Sequence, residues 1–165
     1  MKTNVTTDVQ QTTFITTDAF LDHWQGQRRL TRKVINAFPE DKLFQYSVGG
    51  MRTFAQLAME MIQMAEPGVT GLKTGIWNHY EDKNPPKTKE ELLRIWDAVT
   101  EHINTVWSEV APKRFMETDV AFGQYENKNY ATVLYFIDNE IHHRGQGYVY
   151  LRTLGIEPPA FWDRA

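Results

Sequence analysis

The residues Asp138-Asn139-Glu140-Ile141-His142-His143-Arg144-Gly145-Gln146 place acid, amide, imidazole and guanidinium groups inside an otherwise apolar helical stretch. Positions four apart on a helix lie on the same face, so Asn139 lies over His143 and Asp138 lies over His142. A buried polar group without a hydrogen bond costs about 1–3 kcal/mol, so each of these groups needs a partner if this face is buried. The run therefore predicts a helix that carries a polar site into the interior of a helical protein.

The segment after Asp18 has the apolar period of a helix and is stopped by Pro39. Its apolar face is predicted to consist of Phe20, Trp24, Thr31, Val34, Ile35 and Phe38. The polar residues between these positions are placed on the other faces, and they are Gln25, Gln27, Arg28, Arg32 and Lys33. This segment is predicted to be the first helix.

A capping box predicts where the second helix begins. Thr53 can cap the backbone of Gln56 while the Gln56 side chain reaches back to the backbone of Thr53. An apolar arc follows this box, with Glu60 at its margin. The helix is predicted to end near Ala65, because a proline and two glycines occur within residues 67–71.

The third and fourth helices have clear limits in the sequence. Thr88 and Glu91 form a second capping box, and an apolar stripe follows it until Pro112 ends the helix. The fourth helix is predicted to run from about Asn129 to Leu154 and to be apolar on more than one side. Residues 75–87 and 113–128 form two long connections. The pattern predicts an all-α fold, a four-helix bundle with long crossover connections, in which sites lie between facing helices.

The amino-acid composition limits the classes of protein to which this chain can belong. The 165 residues suit a single domain over 1–165, with residues 1–16 as a loose lead-in, because 41% are hydrophobic. The net charge of -3 gives no broad basic surface, so nucleic-acid binding is disfavoured. The absence of cysteine excludes disulfides, thiolate metal sites and a cysteine nucleophile. Without a signal pattern or a long apolar run, we expect no membrane association and a cytoplasmic location.

The sequence resembles the DinB/YfiT-like metalloenzyme family. The resemblance is carried by residues 141–146, 148–152 and 154–159, is supported by residues 51–59, and spans about Thr17 to Trp162. It implies a four-helix bundle, often a homodimer, of a family connected with stress or DNA damage. It also implies a divalent metal ion held by three histidines, one on the second helix and two spaced four apart on the fourth.

The chain departs from that three-histidine pattern at two of the three positions. Glu60 stands at the second-helix position and Asn139 stands four residues before His143, so only His143 remains. Carboxylate, amide and imidazole groups can all bind metals, but an amide is a weak ligand for zinc or nickel. The predicted metal site is therefore Glu60, Asn139 and His143, holding zinc, nickel, a harder divalent ion, or no ion. In the alternative, Glu60 accepts hydrogen bonds from His143 or Arg144, and Asn139 bridges two helices.

Two functions follow from the resemblance and its departures. The first is metal-dependent hydrolysis or thiol transfer on a small-molecule or thiol substrate, with His143 as the anchoring ligand. The second is a dimeric scaffold or small-molecule-binding bundle that has lost the metal and catalysis. A homodimer is predicted in either case, because the fourth helix is apolar on several sides and residues 158–162 add an aromatic tail.

Overall fold

A computed structural model describes residues 14–81 and 84–165 of the chain. These residues form five α-helices and one β-hairpin, and the elements are α1 (Thr17–Ala37), α2 (Glu40–Gln45), α3 (Phe54–Thr74), α4 (Lys89–Trp107), β1 (Thr118–Ala121), β2 (Tyr125–Lys128) and α5 (Asn129–Thr153). Most of the lead-in predicted for residues 1–16 lies outside the described residues. None of the described helices is long and apolar enough to cross a membrane.

The four long helices form the predicted bundle. Both α1 and α3 pack against α4 and against α5. Large side chains with less than 2% exposure fill the space between them, including Trp24, Trp96, Phe54 and Tyr150. The all-α fold predicted from the sequence is confirmed. Because α5 contacts both α1 and α3, its polar residues face two different neighbours.

Both capping boxes are present where the sequence predicts them. The Thr53 side chain accepts from the backbone of Gln56, and the Gln56 side chain accepts from the backbone of Thr53 at the start of α3. Thr88 and Glu91 make the same reciprocal pair at the start of α4. These starts are local in sequence, so they could be predicted without the rest of the fold.

The prediction that the second helix ends near Ala65 is wrong, because α3 continues through Pro67 to Thr74. Proline removes one backbone hydrogen bond from a helix interior. The loss is offset by packing, since the ring of Phe136 lies directly over Gly68 and leaves no room there for a Cβ. The helix instead ends at Gly75, which has a positive φ of 76°.

The assignment of Gln25, Gln27 and Arg28 to the outer faces of the first helix is also wrong, because all three side chains are buried. Arg28 lies one helical turn after Trp24, so it shares the inward face with that residue. In the structure α1 brings these polar groups into contact with α4 and α5.

The second long connection contains structure that the sequence did not predict. A 3-10 helix (Pro112–Met116) leads into the β1–β2 hairpin, in which Ala121 pairs with Tyr125. The guanidinium of Arg114 donates to Asp119 on β1, and Arg114 Nε donates to the carbonyl of Leu72 on α3 at 2.9 Å. These bonds fix the hairpin against the bundle beside α3 and α5.

Candidate functional site

The structure brings Glu60, Asn139 and His143 together between α3 and α5. His143 Nε2 lies 3.0 Å from Glu60 Oε1, and Asn139 Nδ2 donates to the same oxygen at 3.2 Å. Asn139 and His143 are one turn apart on α5, so both face α3. The convergence expected from the sequence is present, whereas a role as metal ligands stays a prediction.

Further contacts orient this site from both sides. His143 Nδ1 lies 2.9 Å from Gln146 Oε1, so both ring nitrogens of this buried histidine have a partner. The guanidinium of Arg52 donates to Glu60 Oε2 from the segment before α3. A Cβ at position 147 would clash with the ring of Phe54, so Gly147 allows α5 to approach α3 closely.

The carboxyl group of Glu60 is held in its ionised form. Partial burial acts to raise its pKa, but hydrogen bonds from His143, Arg52 and Asn139 outweigh burial and hold the pKa below the ordinary value of 4.5. At neutral pH the carboxylate therefore accepts from three donors. One of them is a guanidinium, which compensates its negative charge.

These surroundings decide how well the site suits a metal ion. A tightly held zinc or nickel ion needs several anionic or imidazole ligands, and this site offers one imidazole, one carboxylate and one neutral amide. Within residues 14–81 and 84–165, no group of three or more His, Asp or Glu side chains could hold a metal. The residues do not fit a tightly bound zinc or nickel ion.

A cavity of about 480 Å³ opens beside Glu60, and we call it the Glu60 pocket. It lies between α3, α5, the hairpin and the segment after α3, and five of its lining residues are phenylalanine or tyrosine. The lining residues are Glu60, Gln63, Met64, His79, Tyr80, Ala121, Phe122, Gln124, Tyr125, Asn127, Thr132, Tyr135 and Phe136. Asn139 and His143 are not among the lining residues, so Glu60 is the member of the site that lines the pocket.

Phe122 at the tip of the hairpin forms one wall of the pocket with a backbone conformation that is unusual for its residue type. Its φ of 53° is in the left-handed region, which costs an L-residue about 1–2 kcal/mol. The ring centroid lies 5.7 Å from that of Trp77 and 6.4 Å from that of Phe136. These contacts offset the strain and direct the ring inward.

A second polar group, the Glu140 cluster, lies on the neighbouring face of α5 that packs against α1, and it consists of Gln27, Arg28, Thr31, Glu140 and Arg144. Thr31 Oγ1 donates to Glu140 Oε1 at 2.7 Å, and Arg144 Nη2 donates to Gln27 Oε1 at 2.6 Å. Arg28 Nη1 lies 3.7 Å from Glu140 Oε2. Both guanidiniums and the carboxylate are almost fully buried, so the cluster joins α1 to α5 within the core.

Burial dominates the protonation of this cluster. It raises the pKa of Glu140 above its ordinary value and lowers the pKa of Arg28 to about 10, in each case against the attraction between the two groups. Burial also lowers the pKa of Arg144. Glu140 was not among the predicted site residues, and Arg144 was an alternative donor to Glu60. In the structure Arg144 bonds to Gln27 and Thr31 on α1 instead.

Comparison with known proteins identifies the same fold over nearly the whole chain. A family model described as the DinB family matches residues 3–164. The uncharacterized protein YrdA of Bacillus subtilis strain 168 is 22% identical over 158 residues, which cover 92% of this chain and 91% of YrdA. The family resemblance noted in the sequence is therefore confirmed.

Two solved structures have a similar architecture. A DinB-like protein from Bacillus subtilis (yjoa) superposes with a TM-score of 0.72 at 15% identity, over 88% of this chain and 98% of that one. A DinB-like protein from Bacillus cereus ATCC 10987 gives a TM-score of 0.71 at 20% identity, over 87% of this chain and 95% of that one. At these identities the similarity establishes the fold alone.

Proposed function

Because the chain belongs to the DinB family, whose model matches residues 3–164, we propose that it is a small-molecule-binding member that works without a tightly held metal ion. The observation that carries this proposal is the position of Glu60. Its carboxylate accepts from His143, Asn139 and Arg52, and Glu60 also lines a cavity of about 480 Å³ with several aromatic side chains in its lining. Ligand sites commonly combine an apolar lining with a few fixed polar groups.

The hydrogen-bonded network gives Glu60 a fixed direction. Donors on Asn139 and His143 hold Oε1 from α5, while Gln146 supports the far side of the His143 ring. A polar group that is oriented before the ligand arrives loses little conformational freedom on binding. Glu60 is therefore the group that would orient a ligand in the pocket, with Asn139, His143 and Gln146 as positioning residues.

The metal-dependent hydrolase or thiol transferase implied by the family resemblance is the second candidate. One observation favours it, since Asn139 Oδ1 is buried and has no hydrogen-bond partner in the described part of the chain. After a small rotation of the amide, this oxygen could join Glu60 and His143 as a ligand for a hard divalent ion. Such an ion would supply Lewis-acid activation of a bound water or thiol substrate.

Binding of small aromatic compounds to metal-free protein tests the proposed function. In the presence of EDTA, we expect fragments detected by ligand-observed NMR to bind the wild-type protein at the Glu60 pocket. Tyr135→Ala removes an exposed part of the pocket lining and should weaken that binding, whereas Tyr130→Ala removes a tyrosine of the same helix outside the lining and should not. Binding that needs added zinc or nickel, or that ignores Tyr135, would contradict the proposal.

We also propose that the chain forms a homodimer through the outer face of α5 and the C-terminal tail. Apolar side chains on these segments are well exposed, namely Leu134, Ile141, Val149, Phe161 and Trp162. A glycine inside a helix costs about 1 kcal/mol relative to alanine, yet a Cβ at Gly145 would meet, apart from its own helical turn, no atom of residues 14–81 and 84–165 within 4 Å. A second copy crossing at Gly145 would account for both features.

Sedimentation velocity at micromolar concentration checks this assembly. We expect a dimer that Trp162→Asp or Gly145→Leu weakens by about tenfold or more, since buried tryptophans dominate interface energies. His143→Ala should leave assembly nearly unchanged, because that side chain faces α3. Ile76→Asp, at an exposed apolar residue away from α5, is the matched control. A protein that stays monomeric removes the dimer, and a dimer indifferent to Trp162 and Gly145 has its interface elsewhere.

The cellular setting of the protein stays a prediction. The absence of cysteine and the acidic net charge of -3 support a cytoplasmic location without nucleic-acid binding. A connection with stress or DNA damage rests on the family resemblance alone.

A further inference from the structure

Among the described residues, the lining of the Glu60 pocket combines aromatic rings with one carboxylate. Phe122, Tyr125, Tyr135 and Phe136 contribute rings from the hairpin and α5, and Glu60 contributes a carboxylate. No Lys, Arg or Asp side chain of the described residues lines the pocket. The faces of aromatic rings are electrically negative, so they attract cations in the same sense as the carboxylate does.

The hairpin holds the ring of Phe122 in the pocket at a conformational cost. Phe122 has a positive φ of 53°, and its ring stacks on His79 at a centroid distance of 5.6 Å. The hairpin itself is fixed by the bonds of Arg114 to Asp119 and of Trp77 Nε1 to Asp119 at 3.1 Å. Retained strain at a wall of a cavity is typical of a binding site rather than of an incidental gap.

We propose that the Glu60 pocket binds a small organic cation, a substituted or methylated ammonium, with its charge between the aromatic faces and the Glu60 carboxylate. The inference rests on the proposed small-molecule-binding function and names its ligand class. The combination of aromatic faces and one carboxylate satisfies both the apolar substituents and the charge of such a ligand. An anionic ligand would meet repulsion from the same groups.

Arg52 is already paired with the carboxylate that a cationic ligand would contact. Its guanidinium donates to Glu60 Oε2, yet the Arg52 side chain is 51% exposed and lies outside the pocket lining. An ion pair that is this exposed contributes little, so the guanidinium can move into solvent when another cation approaches Glu60. Arg52 is therefore a competitor of the ligand for the carboxylate, and its removal should strengthen binding.

Two probes of the same shape test the ligand class. Benzyltrimethylammonium carries a positive charge, and 2,2-dimethylpropylbenzene is its uncharged isostere. In titrations followed by NMR in low-salt buffer with EDTA, we expect the wild-type protein to bind the cation at least about tenfold more tightly than the isostere, because a desolvated cation–π contact and a carboxylate both favour the charge.

Four variants locate the effect. Glu60→Gln keeps an acceptor for Asn139 and His143 and should remove most of the preference for the cation, whereas Glu66→Gln, on the same helix outside the lining, should keep it. Arg52→Gln should strengthen binding of the cation alone. Tyr135→Leu changes an exposed lining residue, so folding is not at risk, and it should weaken binding of the cation more than that of the isostere.

The outcomes separate the ligand class from the proposed function. Equal binding of both probes by the wild-type protein overturns the cation and leaves the small-molecule function in place. Failure of both probes to bind overturns both. A preference for the cation that persists in Glu60→Gln and in Tyr135→Leu overturns the assignment to this pocket.

Discussion

Glu140→Leu is expected to lower the free energy of unfolding by about 3–5 kcal/mol, because it leaves two buried guanidiniums without their carboxylate. Arg28 has no exposed surface and Arg144 is 6% exposed, so neither charge can turn to solvent without moving a helix. Urea denaturation at neutral pH measures the loss. Asp138→Leu changes an exposed acid on the same helix and should alter stability by less than about 0.5 kcal/mol.

A compensating variant distinguishes a buried unpaired charge from a simple packing defect. Burial raises the pKa of Glu140 despite its two guanidinium neighbours, so ionising this carboxyl group costs more in the folded chain than in water. Replacing all three charges, as in Arg28→Met with Glu140→Leu and Arg144→Met, should therefore recover most of the stability. A loss below about 1 kcal/mol in Glu140→Leu, or a triple variant that is less stable than it, would contradict the account of this cluster.

Glu60→His combined with Asn139→His is expected to raise the affinity for zinc or nickel by more than about 100-fold, since changes of outer partners alone alter metal affinity by 10–100-fold. The positions suit the change, because Glu60 Oε1 already lies 3.0 Å from His143 Nε2 and Asn139 is one turn before His143. The double substitution removes the carboxylate that Arg52 neutralises and supplies two imidazoles. Titration calorimetry with each ion measures the difference.

The control for this variant adds the same two imidazoles at other places on the same helices. Lys73→His with Tyr130→His changes two residues that are outside the contacts of Glu60 and His143 and that have no other histidine one helical turn away. It should leave metal affinity close to that of the wild-type protein. Equal affinity of the wild type and the Glu60→His, Asn139→His variant would show that these two positions do not decide metal binding.

The sequence predicted those parts of the fold that depend on neighbouring residues. Thr53 and Thr88 begin their helices by bonds to residues three positions later, so local reasoning was sufficient. The same local reasoning predicted a helix end near Pro67, and that prediction is wrong because α3 continues to Thr74. The ring of Phe136, which is far away in the sequence, packs over Gly68 and stabilises the part of α3 that follows Pro67.

One part of the candidate site could also be predicted from local sequence, and another part could not. Helical phase placed Asn139 over His143, and the family resemblance paired them with Glu60, so the convergence on α3 was expected. The Glu140 cluster was not expected, because Arg28 was assigned by its charge to an outer face. Its position one turn after Trp24 was the available signal. The Glu60 pocket was also missed, since its walls come from a hairpin whose tip requires a strained Phe122.

Metal analysis of the wild-type protein, purified without a histidine tag, tests the central claim that Glu60, Asn139 and His143 act as a hydrogen-bonded network. Elemental analysis after dialysis measures bound ions, and thermal unfolding with and without EDTA measures their effect on stability. The account predicts far less than one zinc or nickel ion per chain and no change of Tm with EDTA. One ion per chain that survives dialysis, with a lower Tm after chelation, would contradict it.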